Sequence, residues 1–306
     1  MKPSYKGEAY THDEILTLLR ARGLTIEDEK RAKQILRNVS YTRLYNYMLA
    51  LTEEGDHRRF RSGATFEQVY ALYGFDRRLR ELIFHELEKI EISIRTHIAF
   101  ACNGRERGYW FLNPTHFRSN RSHNNILRHI KSELERSDNE GILNFRAKYS
   151  DEFPPSWITL EAVSMGTLNI IYSELGDESI RRSISSYYGL TPDVLSSWIH
   201  HLVDVRNSCA HHNRVWNNAP DIKAMIPDST TKPFPRFKPE DGEHIYMTLC
   251  IIKYLQNTIK PSNSFGSRLK TLIGNFKMID PALMGFPTGW ESQAFWRDLR
   301  PEDQTI

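Results

Sequence analysis

Apolar side chains recur along this chain at steps of three and four residues, and strict alternation never lasts more than a few positions. That period marks helices with one buried face. Residues 11–22 predict the first helix, with Thr11 and Glu14 as a capping box, Leu16 and Leu19 on the apolar side, and Gly23 as the stop. Residues 25–35 predict a second, charged helix capped by Thr25 with Asp28 and running towards Leu36 and Val39. Tyr41, Tyr45 and Tyr47 follow, read as half-buried packing, and residues 53–63 read as a polar connection. From Thr65 the period is strongest, through Phe66, Val69, Leu72, Leu79, Ile83, Leu87, Ile90, Ile94 and Ile98. Gly74 or Phe75-Asp76 is expected to break this run into two helices. Glu91 and Arg95, four apart, are expected to form a plain helix ion pair.

Residues 104–125 predict a basic loop, followed by short helices over 126–134 and 141–149. After the Pro154-Pro155 break a helix runs from Ser156 through Ile171, with Gly166 in its interior where a close helix crossing is expected. A helix over 179–188 ends at Gly189, and Thr191-Pro192-Asp193 opens a longer one. Residues 217–242 form the longest loop, with five prolines; helices over 243–259 and 264–276 and an aromatic tail that packs back complete the chain. The expected fold is all-α, with an N-terminal helical segment (1–60), a helical core (61–260) and a C-terminal helix and tail (261–306).

Forty per cent apolar residues in 306 is ample for a core, in one large domain or two small ones. The net charge of +3 says little, but 27 of the 41 basic residues are arginine. Several cluster: Arg58, Arg59 and Arg61; Arg77, Arg78 and Arg80; Arg105 and Arg107; Arg118 and Arg121; Arg181 and Arg182. Each cluster alone reads as a solvated helix face, whereas together they favour a polyanionic partner. Cys102, Cys209 and Cys250 lie far apart, which argues against a disulfide framework or zinc site and for a reducing interior. The first eight residues have no apolar core, and no run approaches the ~18 apolar residues of a membrane span, so a cytoplasmic protein without membrane association is expected.

Chemistry concentrates between Ile199 and Trp216. Trp198, Ile199, Leu202 and Val205 make an apolar stripe, after which Asp204, Arg206, Asn207, Ser208, His211, His212, Asn213 and Arg214 crowd into a few turns. Helix geometry puts Asp204, Asn207 or Ser208, and His211 along one stripe, with Arg206 about 140° round from His211. Two copies of the helix facing each other across a two-fold axis would bring Arg206 of one near His211 of the other. The spacing itself is weak evidence: Arg-x4-His is expected about once by chance and occurs at Arg80/His85, Arg118/His123 and Arg206/His211. Only the last has a polar residue after the arginine, small residues between and a second histidine adjoining. No metal is expected, because adjacent histidines at 200/201 and 211/212 point to different faces and His201 lies about 16 Å from His212. Cys209 reads as a small buried residue facing away from His211.

On the residues Arg22-Gly23-Leu24-Thr25, Ser40-Tyr41-Thr42-Arg43-Leu44, Leu87 to Thr96, Pro155-Ser156-Trp157, Ser164 to Leu168, Arg206 to Asn217 and Met284-Gly285-Phe286-Pro287, the chain resembles the Abi-like (AbiD/AbiF-type) bacterial abortive-infection proteins of the HEPN superfamily. Thr42 departs from the tyrosine that some members carry. The resemblance implies a HEPN-type helical bundle and metal-independent endoribonuclease activity from Arg206, Asn207 and His211. It also implies a composite site in a homodimer, a role in halting phage spread, and, as in AbiF-like members, a small antitoxin RNA that restrains the toxin.

Such chemistry needs no cofactor. RNA carries its own nucleophile, the 2′-hydroxyl, so His211 can take its proton or protonate the leaving 5′-oxygen. Arg206 suits the charge of a phosphorane-like transition state; Asn207 or Asp204 would orient phosphate or imidazole, and His212, Asn213 and Arg214 would cap the helix or contact RNA. The alternatives are a non-catalytic RNA-binding or phage-sensing module and, more remotely, a protein-binding toxin that uses the aromatic tail.

Overall fold

Residues 9–101, 106–238 and 244–298 are described by a computed structural model. The sequence-based readings of the first eight residues, Cys102 and Arg105 therefore lie outside the described residues, as does the Arg107 side chain. The described residues are all-α apart from one small hairpin. The chain divides into two compact units: one runs to Leu79 and includes Leu272–Asp280, and the other comprises Arg80–Thr271 and the chain from Pro281.

The first unit opens with α1 (His12–Ala21), where Thr11 and Glu14 form both bonds of the expected capping box. Helix α2 (Glu29–Asn38) begins at Asp28, whose carboxylate accepts the Arg31 N–H at 2.9 Å. The expected start at Thr25 is wrong for a tertiary reason. Thr25 donates its N–H to Ala64 and accepts from Phe66, both at 2.9 Å, in a bridge to Thr65. Ser40 caps α3 (Tyr41–Met48), which buries Leu44, Tyr47 and Met48. The stretch read as a polar connection is a hairpin of β1 (Thr52–Glu53) and β2 (Asp56–Phe60), antiparallel, pairing Thr52 with Phe60 and Glu53 with Asp56 across a bulge.

Helix α4 (Phe66–Ala101) runs 36 residues unbroken, correcting the expected interruption near Gly74. A glycine inside a helix costs only about 1 kcal/mol. Asp76, the other suspected breaker, is fully buried and accepts the Tyr47 hydroxyl. Val69, Leu72, Phe75 and Leu79 bury the near part of α4, and Phe75 meets Phe276 edge-on at 5.4 Å.

In the second unit the far part of α4 carries Arg95, which is buried. Its pairing with Glu91 at 2.6 Å is more than a surface ion pair, because the same guanidinium donates to the carbonyls of Leu160 and Val163. Three 3₁₀ turns lead into α5 (Asn120–Glu135), which starts earlier than expected because Ser119 caps it by accepting the Ser122 N–H. Helix α6 (Glu140–Lys148) follows, then α7 (Ser156–Thr159). The single helix expected over 156–171 is broken: after a 3₁₀ turn, Ser164 caps α8 (Met165–Glu174), and Gly166 lies in that first turn. A Cβ on Gly166 would meet only the Ser164 hydroxyl, at 3.7 Å, so no close crossing requires it.

Helix α10 (Pro192–Ala210) packs against both α8 and α9 (Glu178–Tyr187). Helix α11 (Ile245–Ile259) is buried on every side from Ile245 to Gln256, the mark of a central helix. Among its buried residues, Lys253 donates to Asp298 at 2.8 Å and Gln256 to the Glu86 carbonyl at 2.9 Å. Helix α12 (Phe265–Gly274) precedes the tail, whose Phe286, Trp290 and Trp296 are buried in a ring cluster with Tyr246.

Candidate active site on helix α10

Helix α10 is positioned by both ends and one face. Thr191 accepts the Val194 N–H, and Pro192 occupies the first turn, where a missing N–H is harmless. Trp198, Ile199, Leu202, Val205 and Cys209 are buried; Cys209 is thus a core residue. Arg206, half-buried, and Asn207 and His211, exposed, lie outside that stripe.

The helix ends in a Schellman motif built on a non-glycine residue. His212 has φ +60°; its N–H donates to Cys209 O at 3.1 Å, and the Asn213 N–H donates to Ser208 O at 2.9 Å. Helix α1 closes in the same way with Gly23 at φ +93°, through bonds to Arg20 and Leu19. A side chain in this left-handed conformation costs about 1–2 kcal/mol that glycine does not lose. From α4, the buried Arg80 guanidinium donates to the Asn213 carbonyl at 3.2 Å and holds the turn.

Asn207 accepts the His211 N–H at 2.9 Å through its backbone carbonyl, so the two side chains share one face a turn apart. Arg206 Nη1 donates to Asn207 Oδ1 at 3.4 Å, and its guanidinium carbon lies 5.9 Å from the centre of the Phe84 ring. Among the described residues the His211 imidazole makes no hydrogen bond, to Arg206 or to any other group. Asp204 is turned elsewhere: its carboxylate accepts the Ile222 N–H at 3.5 Å. With Ser208 and Arg214 it lines a dimple of about 20 Å³, room for a water molecule and not for a nucleotide. His212 and Asn213, both exposed, act through their backbone in closing the helix, and Arg214 is half-buried beside them.

The other two spacing matches are differently placed. Arg80 is buried on the Asn213 carbonyl, and His123 is buried with its Nε2 on the Phe111 carbonyl at 3.0 Å. Within α10, His200 is exposed whereas His201 is buried between the Ile222 carbonyl and the Thr248 hydroxyl. Burial, the largest influence, holds the His201 imidazole below its ordinary pKa. Among the described residues no group of three His, Cys, Asp or Glu is arranged to hold a metal.

Sequence reasoning missed Phe84 entirely and met Arg80 only as half of a chance spacing and as one member of an arginine cluster. Both act on α10 across more than a hundred residues, and no local signal announces such contacts. Of the arginine clusters, Arg80 and Arg181 are internal, the latter paired with Glu178 and Asp193, both at 3.0 Å. Arg58, Arg59, Arg61, Arg77, Arg78, Arg118 and Arg121 are exposed. No described helix is long and apolar enough to cross a membrane.

Compared with known families, residues 34–217 match the family model described as Abi-like protein, a span that ends on Asn217 just past the crowded turn of α10. No curated protein and no solved structure matches the chain.

Proposed function

The chain belongs to the Abi-like protein family, whose model covers more than half of its length and points to abortive infection, and from that premise we propose that it is a metal-independent endoribonuclease of HEPN type acting as a homodimer. The observation that carries the reading is the end of α10. An exposed imidazole with no hydrogen bond among the described residues stands one turn from Asn207, which in turn meets a guanidinium propped on an aromatic ring.

In this reading the 2′-oxygen attacks the adjacent phosphorus while His211 takes its proton. The P–O5′ bond breaks, and the partner's His211 supplies a proton to the departing oxygen. The products are a 2′,3′-cyclic phosphate and a 5′-hydroxyl, with no change of oxidation state and no metal. Arg206 neutralises charge developing on the phosphoryl oxygens, and Asn207 orients the guanidinium and the phosphate. A second protomer supplies what one chain lacks: its arginine within reach of His211 and a second wall for a strand that the 20 Å³ dimple does not accommodate. The activity would be toxic to the host cell, and a small RNA would restrain it.

Purified protein incubated with end-labelled RNA in EDTA tests the reading. Cutting with cyclic-phosphate ends is expected, reduced about 10²-fold or more in His211→Ala and Arg206→Ala proteins that keep their helical signal and dimer mass. Equal cutting by His211→Ala would move the site elsewhere. Retention of RNA without any cutting would leave only the binding-module reading.

A further inference from the structure

The first compact unit holds a cleft that the nuclease reading does not use. Its volume is about 470 Å³, within the range of sites that enclose a small ligand. One wall is a single face of α4, because Glu67, Tyr70, Gly74 and Arg78 follow at helical steps of three and four. Arg31 from α2 and Phe276, after α12, close the other side.

Three features of the lining point to one ligand chemistry. Glu67 lines the cleft, and its Oε2 is buried with no hydrogen-bond donor among the described residues, an unsatisfied acceptor that favours a donor from outside. The Tyr70 and Tyr73 rings stack at 6.0 Å and 26°, offering a flat aromatic wall. The exposed guanidinium groups of Arg31 and Arg78, the latter 5.5 Å over the Phe276 ring, stand where they can grip a phosphate. A carboxylate selects among bases by their edges. Guanine presents two adjacent N–H donors, whereas adenine and cytosine present one beside an acceptor, and uracil's N–H lies between two acceptors.

We propose that this cleft binds a guanine nucleotide, whether free or as one residue of an RNA strand. Glu67 accepts from the base edge, the tyrosine wall stacks the ring, and the arginines hold the phosphate. Gly74 keeps the cleft open: a Cβ there would meet nothing nearer than Phe276 Cε1 at 4.0 Å, and longer side chains would extend into the space.

Calorimetric titration of the full chain with GMP, AMP, CMP and UMP tests the proposal. GMP is expected to bind at least about tenfold tighter than the others, since a mismatched edge leaves Glu67 unpaired. Glu67→Gln should erase most of that preference, and Arg31→Ala with Arg78→Ala should weaken all four nucleotides. Gly74→Leu should abolish binding while retaining the fold, because leucine is the better helix former. A 2′-O-methyl strand with a single guanine, resistant to 2′-hydroxyl attack, distinguishes the sources: competition with GMP identifies an RNA subsite, and its absence a free-nucleotide site. Equal binding of all four nucleotides, no binding of GMP at millimolar concentration, or unaltered binding by Gly74→Leu would overturn the proposal. The titration has no cleavage step, so its failure leaves the nuclease reading standing, and the converse holds.

Discussion

Arg80 on α4 donates to the backbone carbonyl of Asn213, 133 residues away, and so ties the turn carrying His211 and His212 to the long helix beneath it. Arg80→Met keeps the aliphatic stem and removes the donor, leaving that carbonyl and the arginine's other partners unsatisfied. The expected loss is about 2–3 kcal/mol, measured by urea unfolding. Hydrogen exchange over residues 211–216 should quicken more than over the start of α10; an even increase along the helix would contradict the pinning role.

His212 closes α10 in a left-handed conformation that Gly23 adopts freely at the end of α1. His212→Gly should therefore gain about 1 kcal/mol and raise the melting temperature by about 2–4 °C. A lower melting temperature would mean that the side chain's own contacts outweigh the backbone strain.

Phe84 is 43% exposed yet lies under the Arg206 guanidinium. Removing it costs little packing and takes away a cation–π contact worth about 0.5–1 kcal/mol. Phe84→Ala is expected to slow RNA cutting about two- to fivefold with little change in unfolding midpoint. Cutting at the full rate would show that Arg206 needs no aromatic support.

Burial depresses the pKa of His201, only partly offset by its bond to the Ile222 carbonyl and the nearby Asp204 charge, with exposed His200 lowering it further. The folded state thus resists protonation that the unfolded chain accepts near pH 6.5. This contribution is whole above that pH and is lost as pH falls through the window below it. His97, also held down by burial against Tyr187, acts in the same direction. Urea midpoints should fall between pH 7.5 and 5.5, and His201→Gln should flatten part of that dependence. An unchanged slope would assign the effect to other groups.

Helix beginnings were readable where a cap resolves the matter within three or four residues: Thr11 with Glu14, Thr191 with Pro192. The all-α class followed from the apolar period, and the crowded end of α10 was visible because its residues are consecutive. Thr25 misled because its partner is Thr65, forty positions on, and a cap-like residue consumed by a distant bridge looks the same in sequence as one that starts a helix. Within the unbroken α4 the buried Asp76 is met by the Tyr47 hydroxyl, and the closure of α10 at His212 is tied by Arg80. The turn of Asp204 towards Ile222 and the shelf of Phe84 under Arg206 were equally out of reach. Backbone preferences act over about one helical turn, so they can be read residue by residue. Burial and hydrogen-bond satisfaction are settled by whichever groups the completed fold brings alongside, and those are distant in the chain.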